Sequence, residues 1–113
     1  MDKDTVLLFT HNGLGQAPEE LQSGLAVKFL SLLEQSGQLP AKILFYTEGV
    51  KLACQGSPVL EQLSVLEARG VELVLCKTCV DYFNLADHVA VGVAGGMVDI
   101  IEAMQKAAKV ISL

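Results

Sequence analysis

The segment VELVLCKTCVDYFNLAD, residues 71–87, places two cysteines directly after a run of strand-forming residues. Residues 71–75 predict a short β-strand that leads straight into Cys76. Residues 78–82 follow with the pattern of a short helix. A strand that passes directly into a helix is typical of α/β folds, in which helices cover a parallel sheet. The segment therefore predicts an α/β fold and puts Cys76 and Cys79 at a strand-to-helix junction.

The same alternation of strands and helices runs through the rest of the chain. Further strands are predicted at residues 5–10, 41–47, 88–91 and 109–113. Helices are predicted to start near Pro18, at Ser57 and Pro58, and at Gly95 and Gly96, with Gly37 and Gly70 ending the first two. Because such alternation requires right-handed crossovers, the predicted fold is a three-layer α/β/α sandwich whose mostly parallel sheet has about five strands.

Two helical stretches carry apolar residues at helical spacing, which predicts that these faces belong to the core. In the first helix they are Leu21, Leu25, Phe29, Leu32 and Leu33. In the last helix they are Met97, Ile100, Ile101 and Met104. Both helices are thus expected to pack one apolar face against the sheet.

Composition excludes several classes of function. The chain has 113 residues, just over half of them hydrophobic, so residues 1–113 are predicted to form one domain with a continuous core. A net charge of −5 without a basic cluster argues against binding to nucleic acid or to a membrane. The acidic N-terminus and its short apolar run match neither a signal peptide nor a membrane span, which predicts a cytoplasmic protein. Three cysteines, an odd number, fit reduced thiols better than a disulfide framework.

Most of the polar candidates follow a predicted strand. Ligands of an open parallel sheet bind beyond the carboxyl ends of the strands, where such residues collect at one edge. The residues at this edge are His11, Asn12 and Gly13, then Glu48 and Gly49, then Cys76 and Cys79, and finally Gly95 and Gly96. They form the predicted site.

The cysteine pair is the strongest candidate for chemistry. A thiol at a strand-to-helix junction faces the positive end of the helix, and Lys77 adds a cation, so a lowered pKa is expected. Such a thiolate could attack a disulfide or a persulfide, or carry a sulfane sulfur. The alternative is that Cys76 is a small buried core residue, since cysteine is among the most buried residue types.

Metal and dithiol redox sites are less well supported by the pattern. A Cys-x-x-Cys motif supplies two zinc ligands, a structural site needs four, and only Cys54, His11 and His88 are left to complete it, so no metal is predicted. A thioredoxin-type dithiol also opens a helix after a strand. However, all three prolines precede the motif, so none matches the proline that faces a thioredoxin dithiol. Redox cycling stays open.

The loop HNGLGQAP has a partial likeness to a dinucleotide-binding loop. Gly13 and Gly15 have the spacing of its first two glycines, but Pro18 occupies the third position. Glu48 would be the ribose-binding acid in that interpretation. We favour a tight turn, although the loop amides could still hold a small anion.

Three segments together resemble one family: ILFYTEGVKLAC, GVELVLCKTCVDYFNL and VGVAGGMVDIIEAMQKAAKVISL. They are similar to the DsrE/DsrF-like sulfurtransferase superfamily, and within it to the DsrE-like domain of YedF proteins, which are associated with selenium metabolism. The resemblance implies a parallel five-stranded sheet between helices and a homo-oligomer. It also implies that Cys76 carries a persulfide, that Cys79 is an added thiol, and that Glu48 occupies an acidic position of the second-strand loop.

The resulting hypothesis is an intracellular sulfur or selenium relay protein that needs no cofactor. Cys76 and Cys79 are the predicted catalytic residues, and the predicted substrate-binding residues are Glu48, His11, Asn12, Gly95 and Gly96. The implied partners are sulfur-donor and sulfur-acceptor proteins, among them a TusA-like carrier. Whether the chain stands alone or follows a TusA-like domain stays open. The alternatives are a non-enzymatic oligomeric interaction module, a thiol redox sensor, and a protein that binds a small nucleotide or anion.

Overall fold

A computed structural model describes residues 3–113 and shows five strands and four α-helices in alternation. The strands are β1 (Thr5–Phe9), β2 (Lys42–Phe45), β3 (Glu72–Cys76), β4 (Val93–Gly95) and β5 (Lys109–Ser112). The α-helices are α1 (Glu19–Ser36), α2 (Leu60–Ala68), α3 (Lys77–Tyr82) and α4 (Met97–Lys106). Short 3₁₀ segments lie at Thr47–Ala53 and Ala86–His88. Within these residues no helix is long and apolar enough to cross a membrane.

The five strands form one sheet in the order β4-β3-β2-β1-β5, and all four neighbouring pairs are parallel. Strands β1 to β4 therefore lie side by side in chain order. The connection through α4 then returns across the sheet to place β5 beside β1. The predicted α/β fold with a parallel sheet of five strands is confirmed.

Helices cover both faces of the sheet. Ile111 of β5 lines a groove with Leu33 of α1, whereas Val6 of β1 lines a groove with Ala103 of α4. Val6 pairs with Val110, the neighbour of Ile111, and side chains alternate along a strand. Val6 and Ile111 therefore point to opposite faces. Helices α1 and α2 contact each other on one face, and α4 lies on the other.

The core is densest around β1 and β2. Every residue of β1 is buried, as expected for a strand with neighbours on both sides and helices on both faces. Phe9 and Phe45, the last residues of β1 and β2, are register partners whose rings stack with centroids 5.8 Å apart. This stacked pair fixes the carboxyl ends of the two strands relative to each other.

The fourth strand lies further along the chain than predicted. Residues 88–91 were expected to form it, but His88 ends a 3₁₀ segment and Val89 makes an antiparallel bridge to Cys54. The chain then turns at Gly92, whose φ is +78°. Its position against the Leu73 carbonyl leaves no room for a side chain. The strand that follows consists of small residues, which carry a weak strand signal.

The helix boundaries differ in smaller ways. Gly37 ends α1 in the left-handed conformation, as predicted, but α2 begins at Leu60 rather than at Ser57. The Ser57 hydroxyl instead accepts a hydrogen bond from the Val59 N–H in the turn before the helix. The chain continues after β2 as a 3₁₀ segment over Thr47–Ala53.

The prediction that both apolar stripes are core was wrong for three of the five stripe residues of α1 and for two of the four of α4. In α1, the buried residues are Ala26, Leu30 and Leu33, and the exposed ones are Leu21, Leu25 and Leu32. In α4, Ile100 and Ala103 are buried, whereas Met97, Val98 and Ile101 are exposed. Each helix contacts the sheet along a narrow line, so an apolar stripe wider than that line remains at the surface.

Gly49 provides a test of how closely the 3₁₀ segment packs on β1. A Cβ atom at this position would lie 2.1 Å from the Phe9 carbonyl oxygen, so Gly49→Ala must push the segment away. We expect a loss of about 3 kcal/mol in the free energy of unfolding, measured by urea denaturation. Gly24→Ala is the matched control, because nothing lies near its Cβ position within α1. It should gain about 0.5–1 kcal/mol. A Gly49→Ala protein as stable as wild type would contradict the close packing.

Candidate functional site

Cys76 ends β3 and is buried, with 2% of its surface exposed. It pairs with Gly95 of β4 and points to the same face of the sheet as Val74, the face that α4 covers. A side chain on Gly95 would lie 2.9 Å from a Val74 methyl group. The glycine therefore allows β4 to lie close beside β3, the strand that ends at Cys76.

Cys79 lies in the first turn of α3 and is partly exposed. Cys76 is the residue before α3 and Cys79 lies in its first turn, so the Cys-x-x-Cys spacing brings the two thiols close enough to interact. The backbone N–H of Thr47 also donates to Cys79 Sγ over 3.1 Å. Cys79 is thus the more exposed cysteine of the pair. Its sulfur accepts a hydrogen bond from Thr47, which follows the neighbouring strand β2.

Thr47 reaches Cys79 from an unusual backbone conformation. Its φ is +49°, in the left-handed region, which costs a β-branched residue roughly 1–2 kcal/mol. Its hydroxyl donates to the Thr10 carbonyl at 2.6 Å and also lies 2.8 Å from the Tyr46 carbonyl. This anchor joins the end of β1 to the end of β2 and directs the Thr47 N–H toward Cys79.

Thr47 is a site residue that sequence reasoning missed. Left-handed backbone favours glycine, asparagine or aspartate, so a threonine gives no local signal of it. Its contact with Cys79 joins two separate segments of the chain, and single-sequence patterns carry no information on such contacts. In this loop the sequence pointed only to the neighbouring Glu48 and Gly49.

The pKa of Cys79 is raised from its ordinary value. Burial is the largest cause, and the hydrogen bond and charge interaction with Cys76 act in the same direction. The Thr47 N–H lowers the pKa but is outweighed. Lys77 does not compensate, because its ammonium group lies 2.7 Å from the Asp81 carboxylate. Cys79 is therefore a protonated thiol at neutral pH.

Cys54 stands apart from the pair. It is buried, its thiol donates to the Val50 carbonyl over 3.3 Å, and burial raises its pKa. Among residues 3–113 no group of three or more His, Cys, Asp or Glu side chains could hold a metal ion. Cys54 thus has the contacts of a structural cysteine.

A groove of about 380 Å³ lies at the same edge of the sheet. Asn12 lines it, together with Lys51, Cys54 and Phe83, but neither Cys76 nor Cys79 does. The Lys51 ammonium lies 4.5 Å from the centre of the Phe83 ring. The two cysteines and this groove are therefore separate features of one surface.

The other predicted site residues have local partners. Glu48 is exposed and forms a 2.6 Å ion pair with Lys51. His11 Nδ1 lies 3.1 Å from the Thr10 hydroxyl. Gly96 precedes α4, and its N–H donates to the Asp99 carboxylate over 2.9 Å. Each is placed near the carboxyl edge of the sheet, where substrate binding remains a prediction.

The glycine-containing loop after β1 is tied to helix α1. The Leu14 N–H donates to the Gln22 carbonyl at 3.0 Å, and the Ala17 N–H donates to the Gln22 side-chain oxygen at 3.2 Å. Gly13 packs so closely on Gln22 that a Cβ atom would lie 2.4 Å from the glutamine Cβ. Amides bonded in this way are not available to an anion, which favours the tight turn.

Comparison with known proteins agrees with this geometry. The sequence profile of the DsrE/DsrF-like family matches residues 2–113. The chain belongs to the DsrE/DsrF-like family. This family is associated with sulfur relay. The chain matches no curated protein sequence.

Solved structures show the DsrE-like fold in other organisms. The YchN protein of E. coli has a TM-score of 0.73 at 22% identity, with 100% of each chain covered. A protein of unknown function from Methanobacterium thermoautotrophicum has a TM-score of 0.70 at 17% identity, covering 96% of this chain and 97% of that one. One from Bacteroides thetaiotaomicron has a TM-score of 0.67 at 14% identity, covering 97% and 95%. At these identities the likeness concerns the fold.

The raised pKa of Cys79 predicts how its reactivity depends on pH. Only the thiolate is alkylated, so the rate of modification by iodoacetamide should rise about tenfold per pH unit while the thiol remains mostly protonated. The rise should continue beyond the pH at which free cysteine reaches its plateau. Peptide mass spectrometry would give the rate at Cys79, with circular dichroism confirming the fold at each pH. A plateau at lower pH than free cysteine would contradict the raised pKa.

Proposed function

We propose that this DsrE-like protein is a sulfur or selenium relay protein that carries persulfide sulfur on the Cys76–Cys79 pair. The observation that carries the proposal is the pair of neighbouring thiols at the carboxyl edge of the parallel sheet, with one thiol partly exposed. The family's association with sulfur relay supports it. The sequence resemblance to YedF proteins favours selenium as a second cargo.

The relay consists of two exchange steps. A thiolate of the pair attacks the terminal sulfur of a donor protein's persulfide, a new S–S bond forms, and the donor leaves as its thiolate. An acceptor thiolate then attacks the terminal sulfur held on this protein and regenerates the starting thiolate. Each step moves one sulfur atom without net oxidation, so no cofactor is required.

The proposed partners are proteins that present a cysteine at their surface. Exchange requires the donor or acceptor sulfur to reach the partly exposed thiol, which a cysteine on a small carrier of the TusA-like kind could do. The net charge of −5 favours partners with a complementary positive surface. We propose sulfur donors and acceptors of this kind as the partners, and the cytoplasm, where thiols stay reduced, as the location.

Sulfur loading tests this function. The protein is incubated with a cysteine desulfurase and cysteine, and its intact mass is measured before and after a reducing agent is added. At early times in the reaction wild type should gain the mass of one or more sulfur atoms, which the reducing agent removes. The double variant Cys76→Ala/Cys79→Ala should gain none, and Cys54→Ala, which removes only the structural thiol, should load like wild type. Equal loading of the double variant, or none in wild type, would refute the proposal.

A second candidate function is an oligomeric interaction module with redox-sensing thiols. The raised pKa of Cys79 favours it, because a protonated thiol exchanges slowly at neutral pH. Under this alternative the pair would form a reversible disulfide on oxidation and would take up no sulfur. The loading experiment therefore separates the two functions.

We also propose that the protein is a homo-oligomer. Exposed apolar side chains on α4 support this, since Met97, Val98 and Ile101 expose 48%, 76% and 47% of their surface. These residues directly follow Gly95 and Gly96, so a second copy bound there would lie near the cysteine pair.

The oligomer can be tested with two separate variants, each of which places one lysine on a different helix. We expect Ile101→Lys to reduce the assembly to monomers in analytical ultracentrifugation, because a buried lysine without a partner is strongly unfavourable. Leu32→Lys on α1 is the matched control, since Leu32 exposes 58% of its surface on the opposite face of the sheet. Dissociation by Leu32→Lys but not by Ile101→Lys would show that the interface does not lie on α4. A monomeric wild type would refute the proposed homo-oligomer.

A further inference from the structure

The two thiols of the pair differ sharply in access. Cys76, the last residue of β3, exposes 2% of its surface, whereas Cys79 on α3 is partly exposed. Sulfur exchange between two proteins requires the attacking sulfur to approach the donor persulfide in line with the bond that breaks. Only Cys79 meets this requirement without opening the sheet.

We propose that Cys79, rather than Cys76, takes the sulfane sulfur from the donor, and that Cys76 then displaces it as hydrosulfide. This inference rests on the proposed function and adds the order in which the two thiols act. It also adds a product, reduced sulfide, which direct transfer to an acceptor thiol would not release. The same steps with a selenium cargo would release hydrogen selenide.

The raised pKa of Cys79 is a small obstacle compared with the burial of Cys76. A raised pKa lowers the thiolate fraction, but the more basic thiolate is also more nucleophilic, which offsets part of the loss. A thiol inside the sheet cannot be attacked by another protein at all until local structure opens. Access therefore decides which cysteine reacts first.

Thr47 prepares Cys79 for this role. Its N–H lies 3.1 Å from Cys79 Sγ and stabilises the thiolate that the attack requires. The Thr47 hydroxyl donates a hydrogen bond to the Thr10 carbonyl at 2.6 Å. This bond fixes the position of the Thr47 N–H relative to the end of β1. Thr47 is thus a positioning residue that fixes the direction of the Cys79 sulfur.

The second step follows from the contact between the two thiols. Cys76 directly precedes α3 and Cys79 follows three residues later in its first turn, which places the Cys76 sulfur near the inner sulfur of a Cys79 persulfide. Attack there forms the Cys76–Cys79 disulfide and breaks the bond to the terminal sulfur. The terminal sulfur leaves with the electron pair as hydrosulfide, and the Cys76 proton goes to it or to solvent. Two thiols are oxidised and one sulfane sulfur is reduced to sulfide, and a dithiol reductant restores the pair.

Single-turnover loading tests the order of the two thiols. Pre-reduced protein is freed of reductant, mixed with a cysteine desulfurase and cysteine, and quenched with an alkylating agent over time. Peptide mass spectrometry locates persulfide and disulfide, and a colorimetric assay measures free sulfide. Wild type should show persulfide on Cys79 first, then the Cys76–Cys79 disulfide with one equivalent of sulfide.

Single-cysteine variants provide the matched comparison. Cys76→Ser should keep a stable persulfide on Cys79 and release no sulfide, Cys79→Ser should not load, and Cys54→Ala should behave as wild type. Mapping of the early persulfide in wild type gives the same answer if a variant fails to fold. Loading of Cys79→Ser at Cys76 would overturn the proposed order but leave the relay function intact. A wild-type persulfide that persists without sulfide would overturn the release step, whereas no loading of any protein would refute the relay function itself.

Discussion

Parallel pairing of all five strands is the constraint on which the site depends. Since every strand runs in the same direction, every segment that follows a strand begins at one edge of the sheet. The end of β1 supplies the Thr10 carbonyl, the end of β2 supplies Thr47, and the end of β3 supplies Cys76. A different strand direction at any of these three positions would remove one member of the hydrogen-bonded series that ends at Cys79.

Much of the fold could be predicted because its signals are local. The β3 segment and the short helix after it are adjacent in the sequence, and their patterns placed Cys76 and Cys79 at a junction that the structure confirms. β4 was misplaced because Val93–Gly95 is short and rich in small residues, while the more apolar residues just before it form a turn and an isolated bridge. Periodicity showed which face of α4 is apolar, but it could not show that Ile100 alone among its larger residues is buried.

The site was less predictable because its properties arise from contacts between distant segments. A lowered thiol pKa was expected because Lys77 and the start of α3 lie next to the cysteines. In the structure Lys77 forms an ion pair with Asp81, and burial raises the pKa of Cys79. The contact of Thr47 with Cys79 depends on how β2 and β3 align, which no local pattern encodes. The result is a pair with one partly exposed thiol, Cys79, whose pKa is raised, and one buried thiol, Cys76.

The close approach of Gly49 to Phe9 has a consequence for how such sites can be recognised. Where two backbones touch without side chains between them, the position of the neighbouring amide is set by the path of the main chain. The donor that meets Cys79 is a main-chain amide, and the Thr47 hydroxyl bond to the Thr10 carbonyl helps to fix its direction. Comparisons of residue identity would overlook it, and sites of this kind are better compared by the direction of main-chain donors around the sulfur atom.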